Sequence, residues 1–237
     1  MRDYREWVKT EDLVSFGVSQ KETDLMILAE KKLEKEAKDS VIRHRKDIEE
    51  YIGRRPEFRD SLEPIKKDNN APRIVRAMID ASRKSDVGPM AGVAGAVAEY
   101  VGRDLLQFSG QVIVENGGDI FLKTDKERIL GIFAGESKFT KRLGLKVKPQ
   151  KDSLGICTSS GKVGHSLSFG ATDATVVVSK NTVLSDCVAT KIGNLVKGDD
   201  DLQKGINFAK SVEEISGIVI IIGDKLASWG QIELVSI

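Results

Sequence analysis

The sequence lacks an excess of charge of either sign, a cysteine framework and any apolar run long enough to cross a bilayer. Each absence closes a class of function. Lysine plus arginine number 37 against 36 aspartate plus glutamate, so there is no net positive field of the kind that non-specific binding to a phosphate backbone requires. A nucleic-acid partner is not expected. The two cysteines, Cys157 and Cys187, have no metal-type spacing and cannot build a disulfide scaffold, which fits a reducing compartment. Both read as buried small hydrophobes. The most apolar stretch, Gly217-Ile-Val-Ile-Ile-Ile-Gly223, is far shorter than the roughly 20 residues of a membrane-spanning helix and reads as a buried strand. The start, Met1-Arg-Asp-Tyr-Arg-Glu-Trp7, alternates charges with aromatics and has neither the apolar core nor the cleavage site of a signal peptide. These features predict a cytoplasmic protein without a membrane partner.

What is present is the composition of an ordinary globular chain: 237 residues, 40% hydrophobic, 31% charged, with 22 glycines. Such a length suits one large domain, 1–237, or two intimately joined halves, at roughly 150 residues per domain as a soft guide. Alternating runs predict strands at 4–8, 13–18 and 24–29. A helix follows from 31 to about 51, with Leu33, Ala37, Val41 and Ile48 on one face. His44 falls in that apolar stripe and reads as a core or boundary residue. Residues 53–71 read as a loop with a short helical piece. Pro72 then opens a helix to Ser82 that buries Ile74, Val75, Met78 and Ile79.

A third helix, over 85–101, is stripped of side chains on one face by Ala91, Gly92, Gly95 and Ala96, at a cost of up to about 1 kcal/mol per glycine. Something must pack close to its backbone: either a sheet beneath it, or a phosphate drawn to the free N–H groups and positive end of the helix. Strands are predicted again at 111–115, 119–123, 128–134, 143–148, 154–158 and 174–178. Helices at 182–196 and 201–210 precede final strands at 218–222 and 232–235. Helices set between runs of strands predict an α+β fold with a mainly antiparallel sheet. The order strands, helices, strands occurs twice, which leaves a duplicated half-domain open.

Three segments can carry chemistry. Glu115-Asn-Gly-Gly-Asp119 is a strong hairpin signal, and its bare backbone at Gly117 and Gly118 also lets a flat ligand or phosphate come close. Cys157-Thr-Ser-Ser-Gly-Lys-Val-Gly-His165 ends a strand in hydroxyls and glycines able to bind phosphate or sugar oxygens. His165 in that loop is a candidate general acid or base, or an idle loop histidine. On the 182–196 helix, Asp186, Thr190 and Asn194 recur at i, i+4, i+8 as one polar stripe. That stripe is either a solvated helix face or a pair of hard oxygen donors of the kind Mg²⁺ takes, with water and substrate phosphate completing its shell.

Taken in order, Asp86-Val-Gly-Pro-Met-Ala91, Glu115-Asn-Gly-Gly-Asp119, Thr158-Ser-Ser-Gly161 and Ser185-Asp-Cys-Val-Ala-Thr190 resemble the successive motifs of the ApbE flavin transferase family. More closely, the chain is similar to the uncharacterised cytosolic branch of ApbE-like proteins. The resemblance implies duplicated T-fold-like halves and a site that holds FAD or FMN with Mg²⁺. In the transferases such a site moves FMN to a Thr or Ser of an acceptor protein. It implies the carbonyl of Ala91 and the side chains of Asp186 and Thr190 as metal ligands. Asn116, Gly117, Gly118 and Asp119, with Thr158, Ser159 and Ser160, would line the nucleotide. Two elements of the transferase pattern are missing: Gly92 stands where the family places a lysine, and His165-Ser-Leu-Ser-Phe-Gly170 lacks the Asp and Pro of the family's His-x-x-Asp-Pro-x-Thr-Gly segment. The expectation is a protein that binds a small nucleotide without a complete transferase site. The alternatives are a Mg²⁺-dependent FMN transferase and an FAD pyrophosphatase. Pairing of two copies through the sheet is a further expectation.

Overall fold

A computed structural model describes residues 12–161 and 170–237. The strand expected at 4–8 lies outside the described residues. Strands β1 (Val14–Gln20) and β2 (Thr23–Ala29) form a hairpin, followed by helices α1 (Glu34–Arg54), α2 (Glu57–Asp60), α3 (Arg73–Ser85) and α4 (Val93–Leu105). Strands β3 (Val112–Asn116) and β4 (Asp119–Lys123) close this half with a second hairpin. The same order returns in β7 (Leu154–Ser159), β8 (Ala174–Ser179), helices α5 (Thr182–Leu195) and α6 (Leu202–Ser211), then β9 (Ile215–Ile222) and β10 (Lys225–Gly230). Between the halves lie β5 (Arg128–Gly131) and β6 (Leu143–Val147), and β11 (Leu234–Ser236) ends the chain.

The eight strands of the two halves form one sheet in the order β1-β2-β3-β4-β7-β8-β9-β10, while β11, β6 and β5 form a second, three-stranded sheet. Every pairing in both is antiparallel. The large sheet is covered on both faces, and its alternation shows how. Leu25, Ile27, Val112, Val114, Ile218 and Ile220 face the helices. Leu28, Ile113, Leu122, Ile156, Val219 and Ile221 point the other way, and there Leu130, Leu145 and Val147 of the small sheet meet them. Strands buried on both faces read as unbroken apolar runs, which is why the 217–223 stretch is a strand. Among the described residues no helix is long and apolar enough to cross a membrane.

The expected elements recur with small shifts at their ends. Strand β10 is the exception: its residues Lys-Leu-Ala-Ser-Trp-Gly carry little apolar pattern because it is an edge strand, exposed at Lys225, Ser228 and Gly230 and half-buried at the other three. The 85–101 helix divides into a 3-10 turn at Pro89–Gly92 and α4. Its bare face packs on α5 as well as on the sheet, a neighbour that the residue pattern did not identify. A Cβ on Gly95 would lie 2.7 Å from the carbonyl oxygen of Thr182 and 2.8 Å from Asp186 Cβ, so the two helices meet nearly backbone to backbone.

Gly95→Ala puts a methyl group against main chain that cannot swing aside. The strain of overpacking, typically 1–3 kcal/mol, outweighs the gain of up to about 1 kcal/mol in helix propensity. The variant is expected to unfold at lower urea than the parent; equal or greater stability would show that α4 and α5 can separate at no cost.

Candidate functional site

The β3–β4 hairpin turns on Gly117 and Gly118, whose φ angles of 69° and 108° are ones that side-chain-bearing residues rarely adopt. That geometry pairs Asn116 with Asp119 across the turn. Two polar contacts hold the turn in place: Asn116 Nδ2 donates to the carbonyl of Ala94 in α4 at 3.0 Å, and Gly118 N donates to Glu115 Oε1 at 2.9 Å. Asp119 begins β4 opposite Cys157 of β7, so it stands on the seam where the two halves of the sheet join. Thr158 and Ser159 end β7, and Ser160 Oγ just beyond donates to Thr172 O at 3.4 Å.

Helix α5 lies over this seam. The solvated-face reading of its polar stripe is overturned: α5 is buried from Thr182 to Ala189, and Asp186 is only 7% exposed. The Asp186 carboxylate reaches the first turn of α4, where Gly95 N donates to Oδ2 at 2.8 Å. Helix α4 returns the contact. Glu99 Oε2 accepts from Thr182 N at 2.6 Å and from Val183 N at 3.4 Å, and Asn181 caps Leu184 N at 3.0 Å. The helix end considered above as a phosphate cradle therefore faces a carboxylate of its own chain.

The burial pattern separates a floor from a rim. Asp119 and Asp186 are buried, whereas Ala91, Asn116, Gly118, Thr158, Ser159, Ser160 and Thr190 are half-buried and Gly117 is exposed. Thr190 sits one helical turn beyond Asp186, and Ala91 lies in the 3-10 turn whose Gly92 rests on Val183 and Cys187 of α5. His165 lies outside the described residues. His44 is structural as expected, its Nε2 2.7 Å from Asp104 Oδ2 and its ring edge-on to Tyr100.

Burial pushes the Asp119 carboxyl up to about 7; the neighbouring Glu115 adds to the rise, and the Cys157 thiol and the Thr158 amide oppose it. Asp186 is raised well above the carboxylate range, first by burial and then by the charge of Asp119. Burial also raises both cysteine thiols, which are therefore protonated, inert neighbours. Among the described residues Asp119 Oδ1 has no hydrogen-bond partner. Two buried carboxylates close enough to interact electrostatically, one with an orphaned oxygen and neither paired with lysine or arginine among the described residues, fit a divalent cation that would neutralise both. Among the described residues no three His, Cys, Asp or Glu side chains gather as a metal cluster. The donor set is thus hard oxygen and sparse, as Mg²⁺ tolerates when a phosphate supplies further ligands.

Sequence reasoning missed Glu99. Its signal was legible as the one carboxylate in the run Ala94-Gly-Ala-Val-Ala-Glu-Tyr-Val101, since a lone acid in a small, apolar helical stretch is buried only with a partner.

A family model described as AbpE bacteria matches residues 5–221. The UPF0280 protein of Methanococcus aeolicus is 41% identical over 201 residues, spanning 83% of this chain and 81% of that protein. The UPF0280 protein of Methanocaldococcus jannaschii is 39% identical over 218 residues, 90% of this chain and 88% of its own. Among solved structures, the flavinyl transferase ApbE of Pseudomonas stutzeri in its apo form aligns with a TM-score of 0.55 at 12% identity, covering 92% of this chain and 94% of its own. A mutant of the flavin transferase ApbE from Vibrio cholerae aligns at 0.60 and 12% identity, covering 92% and 97%. At that identity the likeness establishes the fold.

The raised carboxyls set a pH dependence whose sign is definite. A folded-state pKa above the unfolded value means that the fold binds the proton more tightly, so this contribution to stability is full below about pH 4 and is lost as pH rises through about 7. In chelator, stability of the parent is expected to fall from about pH 5 to about pH 8 more steeply than that of Asp119→Asn. The check is urea unfolding at both pH values; parallel losses in the two proteins would sink the assignment.

Proposed function

The chain belongs to the AbpE bacteria family, and from that premise we propose that it binds a flavin or related nucleotide, FAD or FMN, through Mg²⁺ and without a complete transferase site. The observation that carries this reading is the pair of buried carboxylates, Asp119 and Asp186, with Asp119 Oδ1 unpartnered among the described residues at the foot of a half-buried rim. Asp186 and Thr190, with the carbonyl of Ala91, would hold the cation. When bound, Mg²⁺ supplies charge neutralisation for a pyrophosphate. Asn116 and the bare turn at Gly117 and Gly118 would admit the nucleotide, and Thr158, Ser159 and Ser160 would offer it hydroxyls. The flavin is suggested by the aligned structures, which are those of flavin transferases. Because the site draws on both sides of the β4–β7 seam, residues 1–237 act as one domain in this proposal.

Binding rather than transfer is favoured at Gly92. A Cβ there would lie 2.6 Å from Cys187 Sγ and 3.1 Å from Val183 Cγ1. A side chain at the transferases' lysine position would therefore have to push α5 aside, and this packing disfavours it.

Flavin with Mg²⁺ is expected to raise the unfolding temperature by several degrees, since ligand at about 100 times its Kd adds ~2.7 kcal/mol to the stability of the folded state. In Asp186→Asn, which keeps an oxygen for Gly95 N, the Mg²⁺ dependence of that shift is expected to disappear. A parent protein that shows no shift with either flavin would refute the proposal. Incubation with FAD, Mg²⁺ and a Thr-containing acceptor peptide is expected to release no AMP. Release would instead establish the transferase or pyrophosphatase activity.

A further inference from the structure

Glu99 is buried in α4, at 5% exposure, and takes no part in lining the rim. Its Oε2 accepts from the first two amides of α5, while Oε1 meets Arg103 Nη2 at 2.7 Å on the outer side. One turn earlier on the same helix, Gly95 N donates to Asp186, which itself stands one turn beyond Thr182 on α5. The two helices thus exchange an amide and a carboxylate at each of two points a turn apart, and the four groups form a closed frame. No side chain at position 95 separates the helices, so a shift of the α5 terminus carries Asp186 with it.

Building on the cation site proposed above, we infer that Glu99 is a positioning residue: by fixing the N-terminus of α5 it sets where Asp186 stands relative to Asp119, and so sets the affinity for the divalent cation. It also leaves the first three amides of α5 with partners in Glu99 and Asn181. No free amide of that turn remains for a bare phosphate, so an anionic ligand is held here through the cation.

The test uses the full chain with Mn²⁺ as the probe, following uptake by titration calorimetry and unfolding temperature in parallel. Glu99→Gln keeps the size and one acceptor oxygen but loses the charge. It is expected to weaken Mn²⁺ binding about 10- to 100-fold, as the loss of groups that orient metal ligands does. Ile79→Val, a destabilising change in the buried core, is expected to leave the affinity unchanged, which separates positioning from general loss of stability. Parental Mn²⁺ affinity in Glu99→Gln, at whatever unfolding temperature, would overturn the inference. If that variant does not fold, Glu99→Asp withdraws the carboxylate by one methylene and is read the same way. A parent that takes up no Mn²⁺ would overturn the cation site and this inference together, whereas normal uptake unaffected by the substitutions removes only the role of Glu99.

Discussion

Two hydrogen-bonded exchanges between α4 and α5 hold the centre of this protein: Asp186 on the amide of Gly95, and Glu99 on the amides of Thr182 and Val183. Each carboxylate satisfies the donors that open the other helix and sits at its positive end, where negative charge is stabilised. Such an exchange is possible only if the helices lie very close, which accounts for the glycine and alanine face of α4. The helices in turn close over the seam between β4 and β7, where Asp119 begins its strand.

This arrangement carries an electrostatic cost. Asp119 and Asp186 are both withdrawn from water, and the charge of Asp119 makes ionisation of Asp186 harder still. The cation proposed for this site would relieve that cost, which would link its binding to folding stability. The same packing fills the space around Gly92. Any side chain at position 92 would crowd Val183 and Cys187 of α5. The fold is that of the flavin transferases.

Most of the elements were legible because their periodicities are local. The runs at 119–123 and 154–158 and the helix at 182–196 emerged within a few residues of their bounds. The edge strand β10 did not, because solvent on its exposed side leaves no alternation to read. The polar stripe of α5 was the instructive case. Spacing alone could not tell a solvated face from a buried one, since Asp186 has the same neighbours in sequence either way, and its burial depends on Gly95, 91 residues distant. Glu99 was overlooked for the same reason, its partner Thr182 lying 83 residues on. His165 falls outside the described residues.

By itself the sequence determined the α+β class, the hairpin at Asn116–Asp119, the helical register that aligns Asp186 with Thr190, and the small-residue face of α4. All of these follow from short-range spacing and backbone sterics. Only the tertiary structure decided that α4 lies against α5, that Asp186 and Asp119 are buried together, and that Glu99 holds the frame. Those facts depend on which distant segments share a dry interface, where a carboxylate without a partner is too costly to keep and the partners can come from anywhere along the chain.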